Sequence, residues 1–150
     1  MKKLILGIFC CLSIMAGAEE KGYKICQAQE CKYLVVGFSP DFSYDTVCDG
    51  LNALRAGATF IACNEEASFP TENGGLKPGC GALVAAIAAS GQHQPDYIAG
   101  KPSTTMLKKL IKKYQCTPEE ILVIGDTIDS DILMADRFGS LSCFVLRGRH

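Results

Sequence analysis

Asp126, Asp129 and Asp131 lie within one short stretch, directly after the apolar run Ile121-Leu122-Val123-Ile124-Gly125. A short apolar run ending in glycine reads as a buried parallel strand. In open α/β sheets the ligand crevice lies just outside the carboxyl ends of such strands, which is where Asp126 would stand. Carboxylates so close together repel one another unless a hard cation neutralises them, and Mg²⁺ favours carboxylate and water oxygens. The competing reading is a solvated acidic turn that caps a helix starting near Ser130, since Asp and Ser are common N-caps.

A second segment bears on that choice. Tyr97-Ile98-Ala99 is another short apolar run, followed by Gly100-Lys101-Pro102-Ser103. Lys101 would project from the same sheet edge as Asp126, and an ammonium opposite a carboxylate–metal cluster suits a doubly charged phosphate. It is not a P-loop: Pro95 stands where the first glycine is required, and Pro102 replaces the Ser/Thr. Alone, Lys101 reads as a surface lysine; set against Asp126, with one helix between, it becomes a phosphate-site candidate.

Gly-Lys-Pro-Ser, an intervening helix and Gly-Asp-x-x-x-x-Asp together resemble the last two motifs of the haloacid dehalogenase (HAD) superfamily. Upstream, 35–44 (Val-Val-Gly-Phe-Ser-Pro-Asp-Phe-Ser-Tyr), 60–64 (Phe-Ile-Ala-Cys-Asn) and 70–74 (Pro-Thr-Glu-Asn-Gly) are similar to the phosphoglycolate and 4-nitrophenyl phosphatase branch. The resemblance covers nearly the whole chain. It implies a Mg²⁺-dependent phosphatase of small phosphorylated metabolites, with a Rossmann-like core, a large α/β cap and a homodimer formed through that cap. Asp126 would then be a direct Mg²⁺ ligand, Asp131 a supporting acid of the metal site, and Lys101 the catalytic residue that holds the phosphoryl group and the nucleophile. Asn64 and Glu66 stand where the family's cap strand ends in Thr-Asn-x-Asp facing the substrate; here the string is Cys63-Asn64-Glu65-Glu66. Asn64 either contacts substrate or holds the turn through its own side chain.

The same resemblance exposes what these 150 residues do not contain. The family attacks phosphorus with an aspartate in an Asp-x-Asp-Gly motif, and no such string occurs; Asp129-Ser130-Asp131 and Asp45 to Gly50 are misplaced and wrongly continued. The phosphate-binding Ser/Thr motif that precedes the cap is missing too. Without the attacking carboxylate there is no covalent route, and positioning alone gives weak catalysis. The chain therefore looks like the cap plus the second half of a phosphatase core, expected to be inactive by itself. Two alternatives stay open: a non-catalytic remnant or regulatory partner, and a secreted small α/β protein.

Composition sets the frame. A chain of 150 residues, 48% hydrophobic, can bury one core or two small ones. A net charge of −1 gives no electrostatic footprint for nucleic acid. Lys108, Lys109, Lys112 and Lys113 read as the solvated face of a helix whose other face (Met106, Leu107, Leu110, Ile111, Tyr114) reads as core. Strands expected at 32–38, 59–63, 97–99, 121–125 and 141–146 alternate with helices at 44–55, 81–90 and after Ser103. Thr117-Pro118-Glu119-Glu120 forms a capping box. The fold class is α/β: a cap sheet over 1–95, then the second half of a Rossmann-like core over 96–150. The stretch 64–79 reads as a long functional loop.

The N-terminus admits two readings. Residues 1–18 satisfy a secretory signal, with Lys2-Lys3, an apolar centre and Ala16-Gly17-Ala18. By the family pattern, Lys2 to Gly7 is instead the first cap strand, beside 33–36, followed by a helix up to Gly22, and this reading is preferred. The apolar run is too short for a membrane span. Nine cysteines show no zinc spacing; Cys63, Cys80 and Cys143 read as small hydrophobes. A reduced, cytoplasmic protein follows, or an exported one if the signal reading holds.

Overall fold

Short β-branched runs joined by amphipathic helices build parallel strand pairs in this protein, because a right-handed crossover returns each strand beside its predecessor. The computed structural model describes residues 2–4 and 22–146. The chain forms two compact units, Met1–Ile98 and Ala99–His150.

In the first unit, β1 (Lys2–Leu4) runs parallel to β2 (Tyr23–Ile25), with Leu4 opposite Ile25. The residues expected to form the first helix lie outside those described. β1 also lies close to β3 (Tyr33–Val36), the neighbour expected for it, while β3 is hydrogen-bonded to β4 (Thr59–Ala62), and β4 to β7 (Tyr97–Ile98), in a parallel sheet of order β3-β4-β7. The short crossover through α1 (Tyr44–Arg55) delivers β4 directly to the β3 edge. Leu34, Val36, Phe60 and Ala62 point from β3 and β4 into the core at every second position. Ser43 caps α1: its Oγ accepts the Thr46 N–H at 3.4 Å while Thr46 Oγ1 accepts the Ser43 N–H at 3.2 Å. α1 meets α2 (Cys80–Gly91) at Gly50, where an added Cβ would come 2.9 Å from the buried Ile87 side chain.

The loop expected over 64–79 is corrected. It contains an antiparallel hairpin, β5 (Ser68–Pro70) and β6 (Leu76–Pro78), with Phe69 opposite Lys77. Thr71 donates its N–H to the Gly75 carbonyl at 2.9 Å, and Gly74 takes φ +77° in the turn. Asn73-Gly74 is the readable signal for that turn, but the flanking strands are too short to show periodicity. Phe69 packs edge-on against Phe38, with centroids 5.3 Å apart.

In the second unit, α3 (Thr105–Tyr114) leads to a single 3₁₀ turn (Pro118–Glu120), β8 (Leu122–Gly125), a π-helical turn (Ile128–Ile132), α4 (Leu133–Phe138) and β9 (Leu141–Phe144), parallel to β8. The Thr117/Glu120 capping box forms, with Glu120 accepting the Thr117 N–H at 2.8 Å, but Ile121 passes straight to the strand and no longer helix follows. Two burial expectations are corrected. β8 is not buried on both faces: its side chains alternate between exposed and half-buried. Of the α3 stripe, Leu107 is buried while Met106, Leu110 and Tyr114 are exposed. Among the described residues, no helix is long and apolar enough to cross a membrane.

β7 is fastened to the first sheet by Asp96. Its N–H donates to the Phe60 carbonyl at 2.8 Å, and its carboxylate accepts the Phe60 N–H at 2.7 Å. That backbone donor, and then His93 at 3.3 Å, holds the Asp96 carboxyl below its ordinary value. A depressed carboxyl stabilises the fold fully above its unfolded pKa and loses that contribution as pH falls through the folded one. Thermal melts across the acid range should therefore show a midpoint that is level above about pH 5 and declines below about pH 4. Asp96→Asn should flatten that decline; an acid limb identical to wild type would exclude Asp96 as a contributor.

Candidate active site

The described part of the site is built where β8 ends. A π-helical turn carries one more residue per turn than an α-helix and commonly marks functional positions. Here Ile128–Ile132 turns the chain back so that Asp131 lies over the end of its own strand, with the Asp131 N–H donated to the Thr127 carbonyl at 2.9 Å. The fold allows this because residue 125 is glycine: an added Cβ would overlap the Asp131 side chain, and its Oδ2 would be only 2.6 Å away. Asp131 is 6% exposed. A buried carboxylate must be paired and hydrogen-bonded, and this one is: Oδ1 accepts from Lys101 Nζ at 2.6 Å and Oδ2 from the Thr127 N–H at 3.3 Å.

The strand that precedes Lys101, β7, is hydrogen-bonded to β4 within the first unit, with Ile61 opposite Tyr97. Lys101 itself stands on the turn ahead of α3, and its ion pair with Asp131 brings it to the β8 end. The Lys101 side chain is half exposed while its partner is buried. One N–H of the ammonium is committed inward and the others face outward, where an anion can take them.

Asp126 is exposed, and its Oδ1 accepts from Thr127 Oγ1 at 3.3 Å. Both oxygens of Asp131 are engaged, whereas the exposed Asp126 has capacity for a hard cation. Among the described residues, no group of three or more His, Cys, Asp or Glu is placed to hold a metal ion. Mg²⁺ is usually held by one or two carboxylates together with phosphate oxygens and waters rather than by an all-protein cage. Asp126 fits that role as a single ligand, and the remaining ligands would have to come from substrate, water or further residues.

Asn64 and Glu66 belong to the first unit. The Asn64 Oδ1 accepts the Glu66 N–H at 3.0 Å, so this side chain holds the turn after β4. The turn is clamped onto the start of α2, where Gly81 donates its N–H to the Glu66 carbonyl at 2.8 Å. Gly79 and Gly81 permit this approach, since a Cβ at either would overlap the Glu66 or Glu65 carbonyl. The roles of Gly79, Gly81, Gly125 and Thr127 escape sequence reasoning. The glycines were visible, but the backbone that presses on each is remote in sequence or folded back. Cys63 and Cys80 behave as expected: burial, then in Cys63 the neighbouring Cys80, pushes the thiols up, away from reactivity. Cys143 is exposed, against expectation, because its face of β9 is uncovered.

The chain is similar to several known proteins. Residues 98–150 match the family model described as HAD-hydrolase-like. The chain is 33% identical over 122 residues to the sugar-phosphatase AraL of Bacillus subtilis, covering 81% of this chain and 44% of that protein. It is 35% identical over 116 residues to human glycerol-3-phosphate phosphatase, covering 77% and 36%. Among solved structures, a p-nitrophenyl phosphatase from Archaeoglobus fulgidus superposes with a TM-score of 0.87 at 27% identity, over 99% of this chain and 55% of that one. The protein is thus HAD-like in sequence and α/β fold, and its relatives are phosphatases. The chain spans less than half the length of these curated relatives.

Three substitutions separate the parts of this site. Gly125→Ala must displace Asp131 and should cost about 1–3 kcal/mol, as overpacking does. Lys101→Met leaves a buried carboxylate with one donor and should cost about 1–3 kcal/mol. Asp126→Asn should leave the urea midpoint close to wild type. Equal losses for all three in urea unfolding would deny the Gly125–Asp131–Lys101 contact its structural role.

Proposed function

We propose that this protein carries the phosphate- and metal-binding part of a HAD-type hydrolase of small phosphate monoesters, with Lys101 as the phosphate-binding catalytic group. The observation that carries this reading is the 2.6 Å pair between Lys101 and the buried Asp131, five residues after the exposed Asp126. An ammonium already held in place needs no reorganisation when negative charge arrives, and such preorganised charge is usually the largest catalytic contribution. Asp126 would hold Mg²⁺, with Asp131 acting as the supporting acid through Lys101 and the Thr127 N–H. Mg²⁺, when bound, would neutralise phosphate oxygens. Asn64 and Glu66 would contact the substrate from an α/β cap formed by the first unit, with the cap also mediating a homodimer. The relatives' named substrates, sugar phosphates and glycerol 3-phosphate, are phosphate monoesters of this class. A cytoplasmic site of action, without nucleic acid or membrane, suits such metabolites.

The chemical step needs an attacking carboxylate, and these 150 residues contain no Asp-x-Asp-Gly string. The chain as it stands is expected to bind without turning over. Calorimetry should detect inorganic phosphate binding that Lys101→Met removes, and Mg²⁺ binding that Asp126→Asn removes. Incubation with 4-nitrophenyl phosphate and Mg²⁺ should release no more nitrophenol than buffer does. Robust hydrolysis abolished by Asp126→Asn would refute the expected inactivity and assign the attack to another residue. Phosphate binding indifferent to Lys101 would remove the basis of the reading.

A further inference from the structure

Where α1 and α2 end, the first unit carries a cavity that the reading above does not use. It opens to solvent and measures about 600 Å³, within the range of small-molecule sites. Polar groups from the α1–β4 and α2–β7 connections line it: Arg55, Thr59, Gln92, His93, Asp96 and Tyr97. Thr59 begins β4 and Ala62 ends it, so the cavity lies at the end of that strand opposite the Asn64 turn. Local backbone shapes it. Gly91 ends α2 against Leu54, where an added Cβ would come 2.5 Å from Leu54 Cδ1, and Gln92 then takes φ +48° to turn the chain toward His93. Across the opening Gly57, at φ +85°, leaves empty the space a Cβ would take.

Charge decides what the cavity takes. Asp96 is the one carboxylate that lines it, and both of its oxygens are engaged: Oδ2 accepts the Phe60 N–H at 2.7 Å, and Oδ1 is bonded to His93 Nε2 at 3.3 Å. The carbonyls at the two helix ends are occupied as well, because Gly57, Ala58 and His93 donate their N–H groups to Leu54, Ala53 and Ala88 at 2.9, 3.0 and 3.1 Å. A cation therefore finds little to bind. The Arg55 guanidinium, by contrast, has no ion-pair partner among the described residues. Its planar fork fits a carboxylate or a phosphate. Tyr97, 66% exposed, adds an aromatic surface and a hydroxyl, and Thr59 and Gln92 add groups that both donate and accept. We infer that this cavity binds a small hydroxylated oxyanion, the chemistry shared by sugar phosphates and sugar acids. The anionic end meets Arg55 and the second ring nitrogen of His93, and the hydroxylated body lies against Tyr97, Thr59 and Gln92. This site is separate from Lys101 and Asp126 and stands whether or not the phosphatase reading holds. A ligand bonded to His93 also bears on the carboxylate that fastens β7 to β4.

The test is an amide chemical-shift titration of the full chain with ribose 5-phosphate, with gluconate and, as the neutral control, with ribose. At least one of the two anions should shift the amides of Gly57, Thr59, His93 and Tyr97 in a saturable way, and the tighter of the two identifies the source of the oxyanion. Arg55→Gln should weaken that binding at least about tenfold, as loss of a charge-assisted pair does. Arg55 is exposed on the last turn of α1, so this variant should keep the wild-type melting midpoint. His93→Gln should weaken the binding as well, which tests the second contact without altering the helix. Shifts confined to Lys101 and Thr127 would overturn the inference by assigning all binding to the other unit. Ribose binding as tightly as the anions, or binding indifferent to Arg55→Gln, would overturn it too, as would the absence of a saturable shift with either anion.

Discussion

The second unit is organised around a contact that tolerates no side chain at one position. Gly125 lets Asp131 fold back onto the strand that precedes it, and the buried carboxylate then has to be satisfied by Lys101 and the Thr127 N–H. Each element depends on the others. The π-helical turn is needed to return Asp131, the turn before α3 is needed to present Lys101, and the bare Cα of Gly125 gives both room. Removing water from one oxygen atom while leaving the lysine half exposed produces a cation that is fixed at its inner end and available at its outer end. That combination is what an anion site requires: geometry set in advance, charge still accessible.

The first unit uses the same device for a different purpose. Gly79 and Gly81 allow the turn after β4 to lie against the start of α2, so that Asn64, Glu65 and Glu66 are held by backbone contact and not by packed side chains. Asp96 closes the sheet at its other end by taking both polar groups of Phe60. Asp96, just ahead of β7, ties that two-residue strand to Phe60 of β4. The buried residues between those two ends, Leu34, Val36, Phe60 and Ile87, are the largest fully buried ones in the described chain.

Elements with strong local signals were legible. α1 is legible over Tyr44 to Arg55 from its amphipathic spacing, and β3, β4, β8 and β9 fall within a residue or two of their apolar runs. The hairpin at 68–78 was missed because strands of three residues, two of them containing proline, carry too little pattern to be told from loop. The burial of β8 and of the α3 stripe was misjudged for another reason. Hydrophobic periodicity reports which face seeks cover, and cannot report whether another element is packed against it.

The sequence by itself determined the chemistry on offer: an ammonium at Lys101, carboxylates at Asp126 and Asp131, an α/β alternation and a HAD-like order of motifs, because side-chain type and local spacing are properties of the chain alone. Tertiary structure decided how these groups are used. Only folding could bury Asp131 and leave Asp126 in solvent, since two carboxylates five residues apart are equivalent until a backbone turn distinguishes them. Only folding could pair β7 with β4 and set Lys101 against Asp131, because hydrogen-bonded neighbours and ion pairs are chosen by the whole fold. The same is true of Leu122 and Ile124: their apolar character is written in the sequence, and their exposure is decided by what packs over that face of β8.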